Sequence, residues 1–289
     1  MAISPRYSLS IPVKITDSNG SNIMKITASS STLVAFASPW RWAVPLLSLC
    51  SLLLVYISGT NVVLFQFLNH ILSYAGDSIW LHLSLLADGQ LVILFVLPFL
   101  GRRPDVVWQY ILAIILGGLF VYVMKELFSV MRPPASMLAG SFHLIGPYLQ
   151  NNAFPSGHTT AFFVLAGLVC MQKVNSSFKY MILLLAILVG LSRIASGVHW
   201  PLDVLGAAIG GWFVAVVAIW LGQYWRVGLN IWLQRILAVM VTTISLWAVW
   251  NLWHNYGEIY PGTGFMQVAL LVICLTLSVP GQLRLFNLR

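Results

Sequence analysis

The sequence predicts an all-α fold, a polytopic membrane helix bundle of six spans followed by two C-terminal spans, about eight in total. Three observations predict it. Of the 289 residues, 59% are hydrophobic and only 8% are charged, where a soluble domain carries about a quarter charged. Apolar runs of the length a helix needs to cross a bilayer recur from residue 40 to residue 280. Most of the lysines and arginines fall between those runs or near their ends, on alternate connections. A soluble enzyme is excluded by this composition.

Residues 1–39 are Ser/Thr-rich, carry Arg6, Lys14 and Lys25, and lack the layout of a signal peptide. They read as a polar, disordered cytoplasmic tail. Spans are expected at about 40–58, 79–100, 106–126, 156–172, 178–198, 201–222, 230–250 and 265–280. Between the first two, Gln66, Asn69, His70 and Ser73 recur at helical spacing opposite Val63, Phe67, Leu68 and Ile71. That pattern predicts a helix lying along the outer interface, either guiding lipid headgroups or covering the bundle. Gly206, Gly210 and Gly211 predict close helix packing in the sixth span. Cys50, Cys170 and Cys274 are far apart, sit in apolar runs and read as packing residues.

The domain division that follows is a tail over 1–39, a core over 40–225 and a two-span extension over 226–289. With the N-terminus in the cytoplasm, twelve of the fifteen Lys and Arg residues fall on cytoplasmic connections. The other three are Lys125, Arg132 and Arg193, and they face away from the cytoplasm. Charge spread over short loops does not make a nucleic-acid surface, so the +8 net charge implies no nucleic-acid partner.

Those three cations belong to three short segments. KELFSVMRP carries Lys125 and Arg132, PSGH carries Ser156, Gly157 and His158, and SRIASGVHWPLD carries Ser192, Arg193, His199 and Asp203. Arginine forks and a lysine point charge suit phosphoryl oxygens. A helix starting after Pro155 would add free backbone N–H groups at Ser156 and Gly157, an anion site. Two histidines could divide the work of nucleophile and general acid. Pro201 suits the first turn of a helix, which puts Asp203 at the third helical position. From there its carboxylate can reach back to His199 and fix the imidazole tautomer.

Taken together, Lys125, Arg132, Pro133, Pro155, Ser156, Gly157, His158, Ser192, Arg193, His199 and Asp203 resemble the signature of the type 2 phosphatidic acid phosphatase family. That signature is shared with vanadium haloperoxidases and bacterial acid phosphatases, but the composition fits the membrane lipid phosphatase branch. The resemblance implies that His199 attacks phosphorus to form a phosphohistidine, with Asp203 orienting it, and that His158 protonates the leaving group. It implies that Lys125, Arg132, Ser156, Gly157 and Arg193 hold the phosphoryl oxygens. It implies no metal and no other cofactor. The expected partners are a phosphorylated membrane lipid and the bilayer, and the expected location is a bacterial inner membrane with the site facing the periplasm or exterior. Transfer of the phosphoryl group to a second lipid, or lipid-phosphate transport without chemistry, would use the same pocket. The sequence names neither the lipid nor the oligomeric state.

Several residues stand beside this set with two readings each. Asp88, an acid at membrane depth, either works with the site or is a hydrogen-bonded structural acid. Trp200 adjoins His199 and is either a site residue or part of an interfacial belt of tryptophans. His82, nearer the outer end of the second span, is a weaker candidate for the site; His143 reads as a surface histidine, and the loop with His254, Glu258 and Tyr260 as an outward connection that either touches substrate or packs structurally.

Overall fold

The computed structural model describes residues 40–256 and 263–287. The described residues form helices and turns without strands. In chain order they are α1 (Trp40–Ile57), α2 (Asn61–Ser73), α3 (Asp77–Leu86), a 3₁₀ segment (Val92–Phe99), α4 (Pro104–Phe128), the single turn α5 (Pro133–Ser136), α6 (Gly157–Cys170), α7 (Ser176–Ala195), α8 (Pro201–Tyr224), a 3₁₀ turn (Arg226–Leu229), α9 (Ile231–Tyr256) and α10 (Thr263–Leu285). The tail over 1–39 and the loop residues Glu258 and Tyr260 lie outside the described residues.

Sequence punctuation sets these boundaries. Pro104, Pro133 and Pro201 each open a helix, where the missing N–H costs nothing. Asn175 caps α7 by accepting the Ser177 N–H at 2.9 Å. α4 ends at Ser129, whose φ of 44° is left-handed and whose N–H bonds back to the Lys125 carbonyl at 3.0 Å.

Five helices, those containing α4, α7, α8, α9 and α10, are each long and apolar enough to span a membrane, and α1 with α2 passes as a bent pair. Two expected spans therefore take another form. The second is broken after Leu86 at Ala87–Leu91 and resumes as 3₁₀ turns, because Asp88 and Gly89 interrupt the apolar run. The fourth, α6, is an apolar helix of only 14 residues.

α8 is the hub of the bundle and packs against α1, α4 and α6. Its glycines admit aromatic rings: a side chain at Gly206 would meet the ring of Phe154, and one at Gly210 the ring of Phe120. Trp212 on the same helix is fully buried. The two C-terminal helices pack on each other and on the 3₁₀ segment Val92–Phe99, and so reach the core through the broken second span.

α2 turns 113° away from α1 and covers the bundle, with residues of both its polar and its apolar sides outward, since Gln66 and His70 are exposed. Val63, Phe67 and Ile71 are exposed, while Phe65 and Asn69 are buried. The reason lies in hydrogen bonding. Asn69 Nδ2 donates to the carbonyls of His143, Ile194 and Ala195 at 2.8–3.1 Å, and Asn69 Oδ1 accepts the His143 N–H at 2.8 Å. A single buried amide thereby satisfies backbone groups at the end of α7 and in the outer loop.

Candidate active site

The three motif segments converge at the C-terminal ends of α4 and α7 and the N-terminal ends of α6 and α8, tied together by backbone bonds. Arg132 N–H donates to the Gln150 carbonyl and Ala153 N–H to the Val130 carbonyl, both at 2.8 Å. This pairs the end of the first segment with the chain leading into the second. Ser156 N–H donates to the Asp203 carbonyl at 3.2 Å, joining the second segment to the third. Trp200 Nε1 donates to the Met131 carbonyl at 2.8 Å, joining the third to the first.

Two of these bonds correct sequence expectations. The Ser156 N–H is taken up by Asp203, so it is not an open anion donor. Ser156 is instead the N-cap of α6; its Oγ accepts from the Thr159 hydroxyl at 2.9 Å and from the Thr159 N–H at 3.5 Å. Trp200 is a buried packing residue, set edge-on against Phe65 with ring centroids 5.1 Å apart, and not a surface available to substrate.

The tight turn before His199 depends on Gly197. Its φ is 74°, and a Cβ there would lie 2.6 Å from the His143 carbonyl oxygen and 2.9 Å from the Phe142 ring. Glycine is required on both counts. The turn delivers His199 into the interior with 2% of its surface exposed.

His199 is held at both ring nitrogens. Nδ1 lies 3.3 Å from Asp203 Oδ2, and Nε2 lies 3.3 Å from Arg132 Nη1. Asp203 Oδ2 also accepts the Trp200 N–H at 2.8 Å, as the third-position acid of a capping box does. The guanidinium is a donor only. Nε2 must then present its lone pair to Arg132, which leaves the proton on Nδ1 facing Asp203. Burial, and next the charges of Arg132 and Arg193, hold the His199 imidazole well below its ordinary pKa. The ring is neutral, with Nε2 as its basic atom.

Arg132 is itself 8% exposed and is positioned by backbone carbonyls. Nε donates to Asn151 at 2.9 Å, Nη1 to Val198 at 3.3 Å and Nη2 to Asn152 at 3.4 Å. Lys125, on the last turn of α4, is half-buried and lines a cavity of about 490 Å³ that His158 and Gly157 also line. Away from these groups the cavity wall is apolar, with Val92, Tyr110, Ala113, Ile114 and Val164 among its residues. Arg193 Nη1 donates to Ser84 Oγ of α3, and Ser192 Oγ donates to the Val189 carbonyl of its own helix at 2.7 Å.

Beside His158 stands Asp88, in the break after α3. Its Oδ2 is 3.8 Å from His158 Nε2, and the charge of Arg193, a motif cation, also acts on this carboxyl. The remaining histidines lie elsewhere. His82 bonds the Ser78 carbonyl within α3, and His143 pairs with Asp77 at 2.8 Å on the outer surface. Sequence reasoning did not find Ser84, which accepts from Arg193, or Asn251, whose amide donates to Gln90 Oε1. Ser84 precedes Asp88 by one helical turn, which was the available signal for a second polar group on that face.

The arrangement offers a buried, neutral imidazole whose basic nitrogen faces a fixed guanidinium, a second imidazole with an acid partner, and an apolar cavity beside them. It can bind a tetrahedral anion and attack it. Residues 106–227 match the PAP2 superfamily, a range that contains all three motif segments and omits Asp88 and the last two helices. The chain is 29% identical over 173 residues to the undecaprenyl-diphosphatase of Sulfolobus acidocaldarius, covering 53% of this chain and 75% of that protein. It is 32% identical over 122 residues to the lipid A 1-phosphatase of Rhizobium etli, covering 40% and 49%. Its fold resembles the crystal structure of Aquifex aeolicus LpxE, with a TM-score of 0.50 and 30% identity, over 55% of this chain and 94% of that one.

Proposed function

This chain belongs to the PAP2 superfamily, and on that premise we propose that it hydrolyses a membrane lipid phosphomonoester or diphosphate through a phosphohistidine at His199. The observation that carries the reading is the double hold on that imidazole, Asp203 on Nδ1 and Arg132 on Nε2. Nε2 attacks phosphorus while the bond to the leaving oxygen breaks, and His158 gives that oxygen its proton. Water then attacks the phosphohistidine, the P–N bond breaks, inorganic phosphate leaves, and His158 recovers a proton from that water. Lys125, Arg132, Arg193, the Ser156 hydroxyl and the Gly157 amide hold the phosphoryl oxygens and oppose the charge that grows on them. No step calls for a metal ion.

The apolar cavity that begins at Lys125 and His158 supports a lipid substrate, since it offers hydrocarbon surroundings next to a charged headgroup site. The named relatives act on undecaprenyl diphosphate and on lipid A, and both chemistries belong to the proposed class. The twelve cations outside the motifs support a site on the outer face of a cytoplasmic membrane, periplasmic in a bacterium. The division into a catalytic core over 40–225 and an extension over 226–289 belongs to the same proposal.

The test is phosphate release from micellar phosphatidic acid, phosphatidylglycerophosphate, undecaprenyl diphosphate and lipid A, with a chelator present and His199→Ala as control. Turnover of at least one lipid that persists with chelator and disappears in His199→Ala is the expected result. Lipid binding without any turnover would overturn the reading.

A further inference from the structure

The geometry points to Asp88 as a positioning residue that acts through His158, held in place by the C-terminal extension. This rests on the phosphatase reading above, in which His158 protonates the leaving oxygen. A general acid in this site must keep a proton while facing the same cavity as Lys125, and Asp88 is the carboxylate in ion-pair contact with it, at 3.8 Å. That acid lies outside the residues matched to the family.

Asp88 is built to stay there. Its Oδ1 accepts the Gln90 N–H at 2.8 Å, leaving Oδ2 toward the imidazole. Its carbonyl accepts the N–H groups of Leu91 and Val92 at 2.9 and 3.0 Å, which closes the turn into the 3₁₀ segment. Gln90 Oε1 accepts from Asn251 Nδ2 of α9 at 2.9 Å, and the 3₁₀ segment packs against α9 and α10. The last two helices thus brace the turn that carries the acid's partner.

In the bond-breaking step, the proton moves from the His158 imidazolium to the ester oxygen, leaving a neutral imidazole and a neutral alcohol. Asp88 takes no proton in this step. Its negative charge favours the imidazolium before transfer and keeps the ring aligned.

The consequence depends on the leaving group, which a merely structural role would not produce. An alkoxide must be protonated as it departs; a nitrophenolate need not be. In Asp88→Asn, kcat/KM for phosphatidic acid should fall about 10- to 100-fold while that for 4-nitrophenyl phosphate stays within about threefold of wild type. Asn251→Leu leaves the carboxylate in place and should move the ratio of the two values the same way, by about threefold or more. An equal fall on both substrates in Asp88→Asn, or an unchanged ratio in both variants, overturns the proposal. The phosphatase reading fails differently: wild type then releases no phosphate, or His199→Ala matches wild type, and the Asp88 proposal falls with it.

Discussion

Replacing Asp203 by asparagine keeps the shape of the side chain and removes its charge. In the structure, one oxygen, Oδ2, takes both the Trp200 N–H at 2.8 Å and the His199 ring at 3.3 Å, and both partners of the His–Asp pair are 2% exposed. In the proposed mechanism a phosphohistidine forms and puts positive charge on the ring, so the carboxylate would be worth more in the transition state than in the resting protein. Two unit charges 3.3 Å apart interact by about 5 kcal/mol at an effective dielectric near 20. The amide dipole of asparagine recovers part of this, which leaves a loss of about 3–5 kcal/mol, or a drop in kcat of about 10²- to 10⁴-fold. Orienting acids of catalytic triads show losses of about 10⁴ on the same substitution. Phosphate release from micellar lipid, measured for wild type, Asp203→Asn, His199→Ala and the double variant, checks the prediction. Asp203→Asn activity within about tenfold of wild type would refute the reasoning, as would any residual His199→Ala rate that Asp203→Asn lowers again by the full factor.

Other consequences follow from the same geometry. Arg132→Lys keeps the charge but cannot reproduce the separate bonds from Nε and Nη1 to Asn151, Val198 and His199, so kcat/KM should fall about 100-fold. A fall of less than about threefold would mean the fork geometry is unimportant. Because burial and neighbouring cations hold His199 below its ordinary pKa, its neutral form persists as the medium is acidified. The His199 ring itself should therefore take up a second proton well below the ordinary imidazole value of about 6.5, read by NMR titration of that ring, and a midpoint at the ordinary value would contradict the neutral-nucleophile assignment. Gly210→Leu places a side chain where the Phe120 ring sits and should destabilise the bundle by about 1–3 kcal/mol, read as a lower midpoint of thermal unfolding. An unchanged midpoint would mean that the α4–α8 contact is slack.

Much of this was legible before any coordinates, and the reasons are local. Helix α8 starts at Pro201, so Asp203 had to fall at the third position and His199 just ahead of it; spacing alone brought the pair together. Apolar composition required membrane helices, and the three motif cations stood out because the other twelve fit the charge asymmetry expected of alternate connections. What stayed hidden depends on contacts far apart in sequence. The inward face of α2 is decided by Asn69 bonding to carbonyls at residues 143, 194 and 195, which no periodicity in residues 61–73 encodes. Asp88 was noticed for its charge, but its partner is 70 positions away in a different helix, and its brace Asn251 is farther still. Ser156 was expected to offer its amide to an anion; the Asp203 carbonyl competes for that amide only after the second and third segments meet.

The most direct test of the central claim is to trap the intermediate. Wild-type enzyme is mixed with lipid substrate, quenched in base, where phosphohistidine survives, and digested for peptide mass spectrometry. One phosphoryl group on the peptide containing His199, at the His199 ring and absent in His199→Ala, is the predicted result. A phosphoryl group on His158, or none on protein that is turning over substrate, would contradict it.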